Sequence, residues 1–137
     1  FADTECLEVR GITLWPEANG IYRRYERPSY LCQSSRVFHP YIYIHHHGNG
    51  VMWHGPLFKW YITQRACDHN SKQGELQTID KVFRKDEFPD KGRWRQKDPK
   101  GKLSKVDLTV EEVHCPVGQF FLMHYIYFLI RSVEYQT

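Results

Sequence analysis

A cluster of histidines contains the residues best suited to metal chemistry in this chain. Three of them are consecutive, His45–His47, and His54 follows after a glycine-rich stretch. On a strand His45 and His47 share a face, and a two-residue turn at Asn49-Gly50 would bring His54 opposite His45. Because imidazole nitrogens bind Zn²⁺ and Cu²⁺, His45, His47 and His54 are a candidate metal site. The segment offers no acidic residue or cysteine as a fourth ligand, so a solvated hairpin tip is the simpler interpretation.

A second candidate site is the basic segment 81–105. It holds ten lysines and arginines against four acids, a local net charge of +6, whereas the rest of the chain sums to −3. Basic side chains attract phosphate, sulfate or acidic protein surfaces, and an interleaved aromatic ring can stack on a base or a sugar. We predict a long basic aromatic loop here, with Trp94 packed onto a sheet as the alternative. The predicted binding residues are Arg84, Lys85, Lys91, Arg93, Trp94, Arg95 and Lys97.

Catalytic motifs are absent from the sequence. It contains no G-x-S-x-G elbow, no glycine loop that cradles phosphate and no H-E-x-x-H. Cys67-Asp68-His69 combines suitable residue types, but neighbours on a strand point to opposite faces. We therefore predict a protein that is not an enzyme, with no catalytic residues and no cofactor apart from the candidate metal.

The four cysteines are widely spaced, and no two of them form a Cys-x-x-Cys pair. An even number at such spacing is typical of disulfides in secreted domains, although four buried thiols are an alternative. Three pairings are possible. We predict Cys6–Cys115 and Cys32–Cys67, because each pair would tie distant parts of a sheet, and we expect a secreted, extracellular or lumenal protein.

The elements that must position these residues are predicted to be β-strands. Aromatic residues make up 15% of the chain, and the segment 41–55 has the pattern of a hairpin, with Gly48-Asn49-Gly50 as its turn. In 57–65 the alternation predicts a strand with one buried face. We predict one all-β domain over residues 1–137, an antiparallel β-sandwich or barrel-like fold. Further strands are predicted at 7–14, 21–25, 29–33, 76–79 and 105–113.

The apolar run 120–130 is too short to cross a bilayer as a helix, which needs roughly 20 residues. We predict a strand buried on both faces. A strand that joins the sheet of a partner and a short membrane-associated tail are the alternatives.

Five short motifs carry a resemblance over roughly residues 7–113. They are Asn19-Gly20-x-Tyr22, Arg27-Pro28-x-Tyr30, Tyr41-x-Tyr43, Trp60-x-Ile62, and Pro89 with Trp94. This pattern resembles an uncharacterised small β-module of modular proteins in protists and marine invertebrates. The resemblance implies a binding or scaffolding module and no catalytic residues.

These observations favour a non-enzymatic extracellular recognition or adhesion module. Its basic aromatic loop would bind an acidic protein or an anionic glycan, and an extracellular location argues against nucleic acid. One alternative is a structural subunit of a larger assembly, docked by its C-terminal apolar strand. The other is a metal-binding protein that uses the histidine hairpin.

Overall fold

The computed structural model describes residues 5–27, 39–67, 74–79 and 93–116, which form a single antiparallel sheet and its turns. Its nine strands are β1 (Cys6–Arg10), β2 (Gly20–Glu26), β3 (Tyr41–His45), β4 (Val51–Gly55), β5 (Lys59–Thr63), β6 (Leu76–Thr78), β7 (Trp94–Lys97), β8 (Leu103–Val106) and β9 (Thr109–Val113). Within these ranges the helices are two 3-10 turns, Pro16–Ala18 and Pro56–Phe58, and neither could cross a membrane. The prediction of an all-β, barrel-like domain is confirmed.

The order of the strands shows how the sheet curls. Each strand pairs with its neighbour in the order β8-β7-β6-β5-β4-β3-β2-β1-β9. The two outermost strands, β8 and β9, are nevertheless consecutive in the chain and are joined by Asp107 and Leu108 alone. Three peptide steps span at most about 11 Å. The two edges of the sheet must therefore approach each other at residues 107–108, which we call the closing corner.

Gly11 allows the chain after β1 to pack against the closing corner. Its φ is +102°, and a Cβ atom at this position would collide with the carbonyl oxygen of Asp107. The corner itself is tight, because the Leu108 N–H donates to the carbonyl oxygen of Val106 over 3.1 Å. The positive φ of Gly11 and the close approach of the Asp107 carbonyl oxygen both require a residue without a side chain at position 11.

The inner face of the curled sheet holds the main core. Met52 illustrates the register, since it lies opposite Tyr43 on β3 and opposite Ile62 on β5. Burying each large apolar side chain stabilises the fold by roughly 1.5–3 kcal/mol. The buried members of this core are Leu7, Val9, Ile12, Ala18, Tyr22, Tyr43, Met52, Trp60, Ile62, Leu76, Trp94 and Val110.

The connection 11–19 covers the upper end of the barrel, where β1 ends and β2 begins. Thr13 and Gln96 of β7 exchange side-chain hydrogen bonds of 3.0 and 3.2 Å. On the other side, the Asn49 amide donates to the carbonyl oxygen of Glu17 over 3.0 Å. The connection between the first two strands thus also covers one end of the core.

The outer face of β3, β4 and β5 is buried as well. Trp53 stacks on Tyr61 with ring centroids 5.0 Å apart, and its indole N–H donates to the Thr63 hydroxyl. Trp60 and Ile62 are buried on the inner face. The prediction of one buried face in segment 57–65 is therefore wrong, because both faces of β5 are buried. Strands buried on both sides lose the apolar and polar alternation that an exposed face imposes.

The predicted long loop over 81–105 is wrong from residue 94 onward. Residues 94–97 and 103–106 are the paired strands β7 and β8, with Gln96 opposite Ser104. The segment Trp94–Lys97 does alternate inward and outward residues, but its high charge obscures the pattern. The earlier part of the predicted loop, 81–92, lies outside the described residues.

The disulfide Cys6–Cys115 is confirmed, with Cα atoms 5.2 Å apart. It joins the start of β1 to the residues that follow β9. Cys67 is also disulfide-bonded, and its predicted partner, Cys32, lies outside the described residues. The predicted strands at 29–33 and 120–130 also lie outside them.

Candidate functional site: the basic β7–β8 hairpin

The turn of the β7–β8 hairpin is organised by its one acidic residue, Asp98. Its carboxylate accepts the backbone N–H groups of Lys100 and Lys102 over 2.9 and 2.8 Å. Gly101 completes the turn with a φ of +80°. The carboxylate of Asp98 is thus committed to the turn backbone.

Positive charge dominates the rest of the hairpin. On the outer face Arg95 lies directly opposite Lys105, and Lys97 lies opposite Leu103. Like charges directly opposite each other destabilise a strand pair, and β8 is the last strand of the sheet on this side. The hairpin therefore presents a cationic outer surface that its own stability does not require. The basic residues of 93–106 are Arg93, Arg95, Lys97, Lys100, Lys102 and Lys105.

Trp94 does not belong to this surface. Its side chain is 2% exposed and packs in the inner core, with Thr78 opposite it on β6 and Val106 opposite it on β8. The prediction that Trp94 stacks on a ligand from an exposed loop is therefore wrong, and the alternative packing on the sheet is correct. Strand alternation sends Arg95 outward and Trp94 inward.

Only part of the predicted basic patch can be located. Arg93 is exposed, and Arg95 and Lys97 are partly exposed. The other predicted binding residues, Arg84, Lys85 and Lys91, lie outside the described residues. The structure adds Lys100, Lys102 and Lys105, which the prediction did not select as binding residues, because it did not recognise the hairpin that groups them with Arg95.

A groove of about 300 Å³ runs beside the cationic face. Its lining includes Lys97, Leu103, Gln77 and Leu57, together with the buried acid Glu75. Leu57 is 66% exposed and has a φ of 60°, a region that non-glycine residues rarely adopt. Among the described residues, Leu57 is the large apolar residue whose side chain is exposed. No sequence signal marks its exposure, since leucine side chains are ordinarily buried.

The histidine hairpin is not arranged as predicted. Tyr43 pairs with Met52, and the His45 N–H donates to the carbonyl oxygen of Gly50. The turn thus contains four residues, and His54 lies at the far end of the strand pair from His45. The convergence of His45, His47 and His54 is therefore wrong. Among the described residues no three His, Cys, Asp or Glu side chains are grouped closely enough to hold a metal ion.

His45 is a structural residue of the turn, and it is buried. Its Nε2 lies 2.7 Å from the carbonyl oxygen of Asn19, and its Nδ1 accepts the N–H of His47. Both ring nitrogens are therefore used when the proton is on Nε2, a tautomer that the hydrogen bonds imply. The prediction of a solvated tip fits His47, which is exposed, but not His45.

A second histidine cluster lies at the lower end of the barrel, where β2 ends and β3 begins. His39 and His54 are each 2% exposed, and their rings lie 6.4 Å apart. The His39 ring also packs edge-on against Trp60 at 4.7 Å. Burial, and then the nearby His54, lower the pKa of His39 to about 4. His39 is therefore neutral at pH 7.

Comparison of the chain with protein-family models, curated proteins and solved structures finds no match. Cys67 is bound in a disulfide, which removes the thiol of Cys67-Asp68-His69 as a nucleophile. Among the described residues, the cationic outer face of the β7–β8 hairpin is the largest concentration of one charge.

Proposed function

We propose that this protein is a non-enzymatic recognition module that binds an acidic protein or an anionic glycan through the outer face of the β7–β8 hairpin. The proposed face keeps the basic character of the predicted site, but it does not include Trp94, whose side chain is buried. The contact residues are Arg95, Lys97, Lys100, Lys102 and Lys105.

The observation that carries the proposal is the cross-strand pair of Arg95 and Lys105. Two cations directly opposite each other on an edge hairpin lower the stability of that hairpin. An anionic partner would neutralise both charges at once and offset this cost. Complementary charge of this kind also raises association rates.

The neighbouring groove supplies the apolar part of the proposed surface. Leu57 and Leu103 line it, and Lys97 stands at its edge. An exposed leucine in a strained backbone conformation has no role in the core. It would give a partner an apolar contact beside the charged one.

An extracellular or lumenal site of action is part of the proposal. Cys6 and Cys115 form a disulfide, and Cys67 is bound in another. Disulfides persist in oxidising compartments. A role in adhesion is consistent with such a location and with a charged recognition face.

The test compares two variants with the same change in charge. Lys105→Glu places an acid in the proposed face, and Lys59→Glu places one on the outer face of β5, away from the hairpin. We expect Lys105→Glu to weaken binding to a sulfated glycan or an acidic peptide about tenfold at low salt, and Lys59→Glu to change it by less than about twofold. The measurement is surface plasmon resonance at two salt concentrations.

Equal losses in the two variants would reduce the effect to net charge and overturn the proposed site. Unchanged binding of Lys105→Glu would do the same. A partner from native extract that both variants retain, but that is lost when residues 120–130 are deleted, would instead support the alternative of an assembly subunit.

A further inference from the structure

We propose, on the basis of the function proposed above, that the partner is an extended acidic peptide segment with one apolar side chain in the groove beside the cationic face. An acidic protein rather than an anionic glycan is then the ligand, because a glycan has no comparable apolar side chain. The groove has a volume of about 300 Å³, and at about 30 Å³ for each water-sized group it has room for roughly ten such groups. One aromatic or branched aliphatic side chain fits this space.

The pairing of the strands places the groove and the cations on one surface. Gln77 of β6 lies opposite both Tyr61 of β5 and Arg95 of β7. Arg95 in turn lies opposite Lys105 of β8. Residues directly opposite each other on paired strands share a face of the sheet, so these four side chains form one row across the outer face. The row begins in the groove, which Tyr61 and Gln77 line, and ends at the two cations.

The groove itself favours an uncharged side chain. Of its lining residues only Glu75 and Lys97 carry charge, one of each sign. The Lys97 N–H donates to the carbonyl oxygen of Glu75 over 3.0 Å, so the two residues are neighbours. Glu75 Oε2 also accepts the N–H of Gln64 over 3.0 Å. Because these charges balance, the apolar lining by Leu57 and Leu103 determines what the groove binds.

The acidic residues of the partner would lie over Arg95 and Lys105. Within the described part of the chain neither of these cations forms an ion pair. Neighbouring strands are about 4.8 Å apart, so both cations lie within roughly 10 Å of Gln77 along the row. In an extended peptide, residues i and i+2 share a face and are about 6.6 Å apart. A peptide that follows the row would therefore bring an acid two residues from its apolar anchor to the cations.

The test uses the full chain and three fluorescently labelled peptides with blocked termini. The first, Gly-Asp-Ser-Phe-Ser-Asp-Gly, has an acid two residues to either side of the phenylalanine. The second has alanine in place of phenylalanine, and the third, Phe-Gly-Ser-Gly-Ser-Asp-Asp, contains the residues of the first in another order. By fluorescence anisotropy at low salt we expect the first to bind about tenfold more tightly than the other two, because burial of its ring adds to the charge contacts.

Two groove variants and a control locate the anchor. Leu57→Asn removes an apolar side chain and keeps a residue type that tolerates a φ of 60°. Leu103→Thr makes the lining on β8 less apolar and keeps a good strand former. In each we expect the preference for the phenylalanine peptide over the alanine peptide to fall from about tenfold to below about threefold. The control Val113→Asn, on the strand β9 at the other edge of the sheet, should keep the full preference.

Three results would overturn this proposal. They are equal affinity for the phenylalanine and alanine peptides, a preference that persists in both Leu57→Asn and Leu103→Thr, and a sulfated disaccharide of the same charge that binds as tightly as the phenylalanine peptide. The function proposed above would survive any of them if Lys105→Glu still weakened binding of the alanine peptide. Unchanged binding of the alanine peptide by Lys105→Glu would instead remove that function, and the peptide partner with it.

Discussion

Single residues on β7 show how strand parity decides which side chains reach solvent. Arg95 and Trp94 are adjacent, yet one reaches solvent and the other the core. An aromatic residue between two arginines resembles a stacking platform when it is read as a loop. Read as a strand, the same three residues form a charged face and one core side chain.

At this scale the first prediction concerns His39. Its folded pKa of about 4 lies below the ordinary value of 6.5 because of burial and the neighbouring His54. The unfolded chain therefore binds more protons between these values, so stability is complete above about pH 6.5 and falls as the pH drops toward 4. We expect His39 to contribute a loss of at most about 3 kcal/mol.

Urea unfolding of the wild type and of His39→Asn from pH 4 to pH 7.5 measures this effect. The asparagine keeps an acceptor for the Tyr41 N–H, which His39 Nδ1 accepts over 3.3 Å, but it does not titrate. The variant should lose much of the dependence of unfolding free energy on pH. Parallel pH profiles for the two proteins would show that other groups are responsible.

Residue types alone predicted some of the site and not the rest. The Cys6–Cys115 pair followed from the expectation that a disulfide ties distant parts of a sheet. The histidine arrangement depended on the length of one turn, and a four-residue turn in place of two separates His54 from His45. The exposure of Leu57 depends on a backbone conformation that no residue type signals.

At the scale of elements, we expect the two cations Arg95 and Lys105 to lower the stability of the β7–β8 hairpin while they favour the binding of an anion. Lys105→Glu replaces the cation opposite Arg95 with an acid, so that the two residues can form an ion pair. Such a cross-strand change should raise the free energy of unfolding by about 0.5 kcal/mol, while anion binding falls as proposed above.

Urea unfolding at low salt, with Lys59→Glu as the matched control, provides the measurement. The control has no such cation opposite it, since Lys59 pairs with Gly55, and should show no comparable gain. If Lys105→Glu is less stable than the wild type, the repulsion between Arg95 and Lys105 does not lower the stability of this fold, and it gives no support to an anionic partner.

The elements were predictable where hydrophobic alternation was strong. The hairpin at 41–55 has a clear aromatic and aliphatic pattern on both sides of its glycines. Strand β7 and the first half of β8 were missed because their outward positions are mostly charged and their inward positions are few, whereas the predicted strand at 105–113 includes the end of β8. Burial on both faces of β5 could not be predicted either, since it depends on how the sheet is covered.

For the molecule as a whole, the curled sheet brings Gly11 directly against the carbonyl group of Asp107 at the closing corner. Gly11→Ala forces a Cβ atom into the carbonyl group of Asp107 and also strains a φ of +102°. We expect a loss of at least about 2 kcal/mol, from strain and displacement of the closing corner.

Gly101→Ala is the matched control, because Gly101 also has a positive φ, +80°, but a Cβ atom there would meet nothing within 4 Å. It should cost only about 1 kcal/mol. The measurement is thermal and urea unfolding of both variants. Similar losses at the two positions would mean that backbone strain, and not closure, accounts for the effect at Gly11.

The disulfide provides a second test at this scale. Cys6 and Cys115 are 109 residues apart in sequence, so the bond closes a long loop in the unfolded chain. Replacing both by alanine should lower the free energy of unfolding by about 3–5 kcal/mol. A loss below about 1 kcal/mol in urea unfolding would show that pairing of β1 with β9 holds this edge by itself.

The position of this disulfide also determines how the molecule would respond to tension. Cys6 and Cys115 lie side by side at the start of β1 and just after β9, with Cα atoms 5.2 Å apart. A pulling force applied to the chain before Cys6 and after Cys115 would pass through the sulfur–sulfur bond. The strands between them would carry no load, so the cationic hairpin and the groove beside it would keep their shape under tension until that bond was reduced.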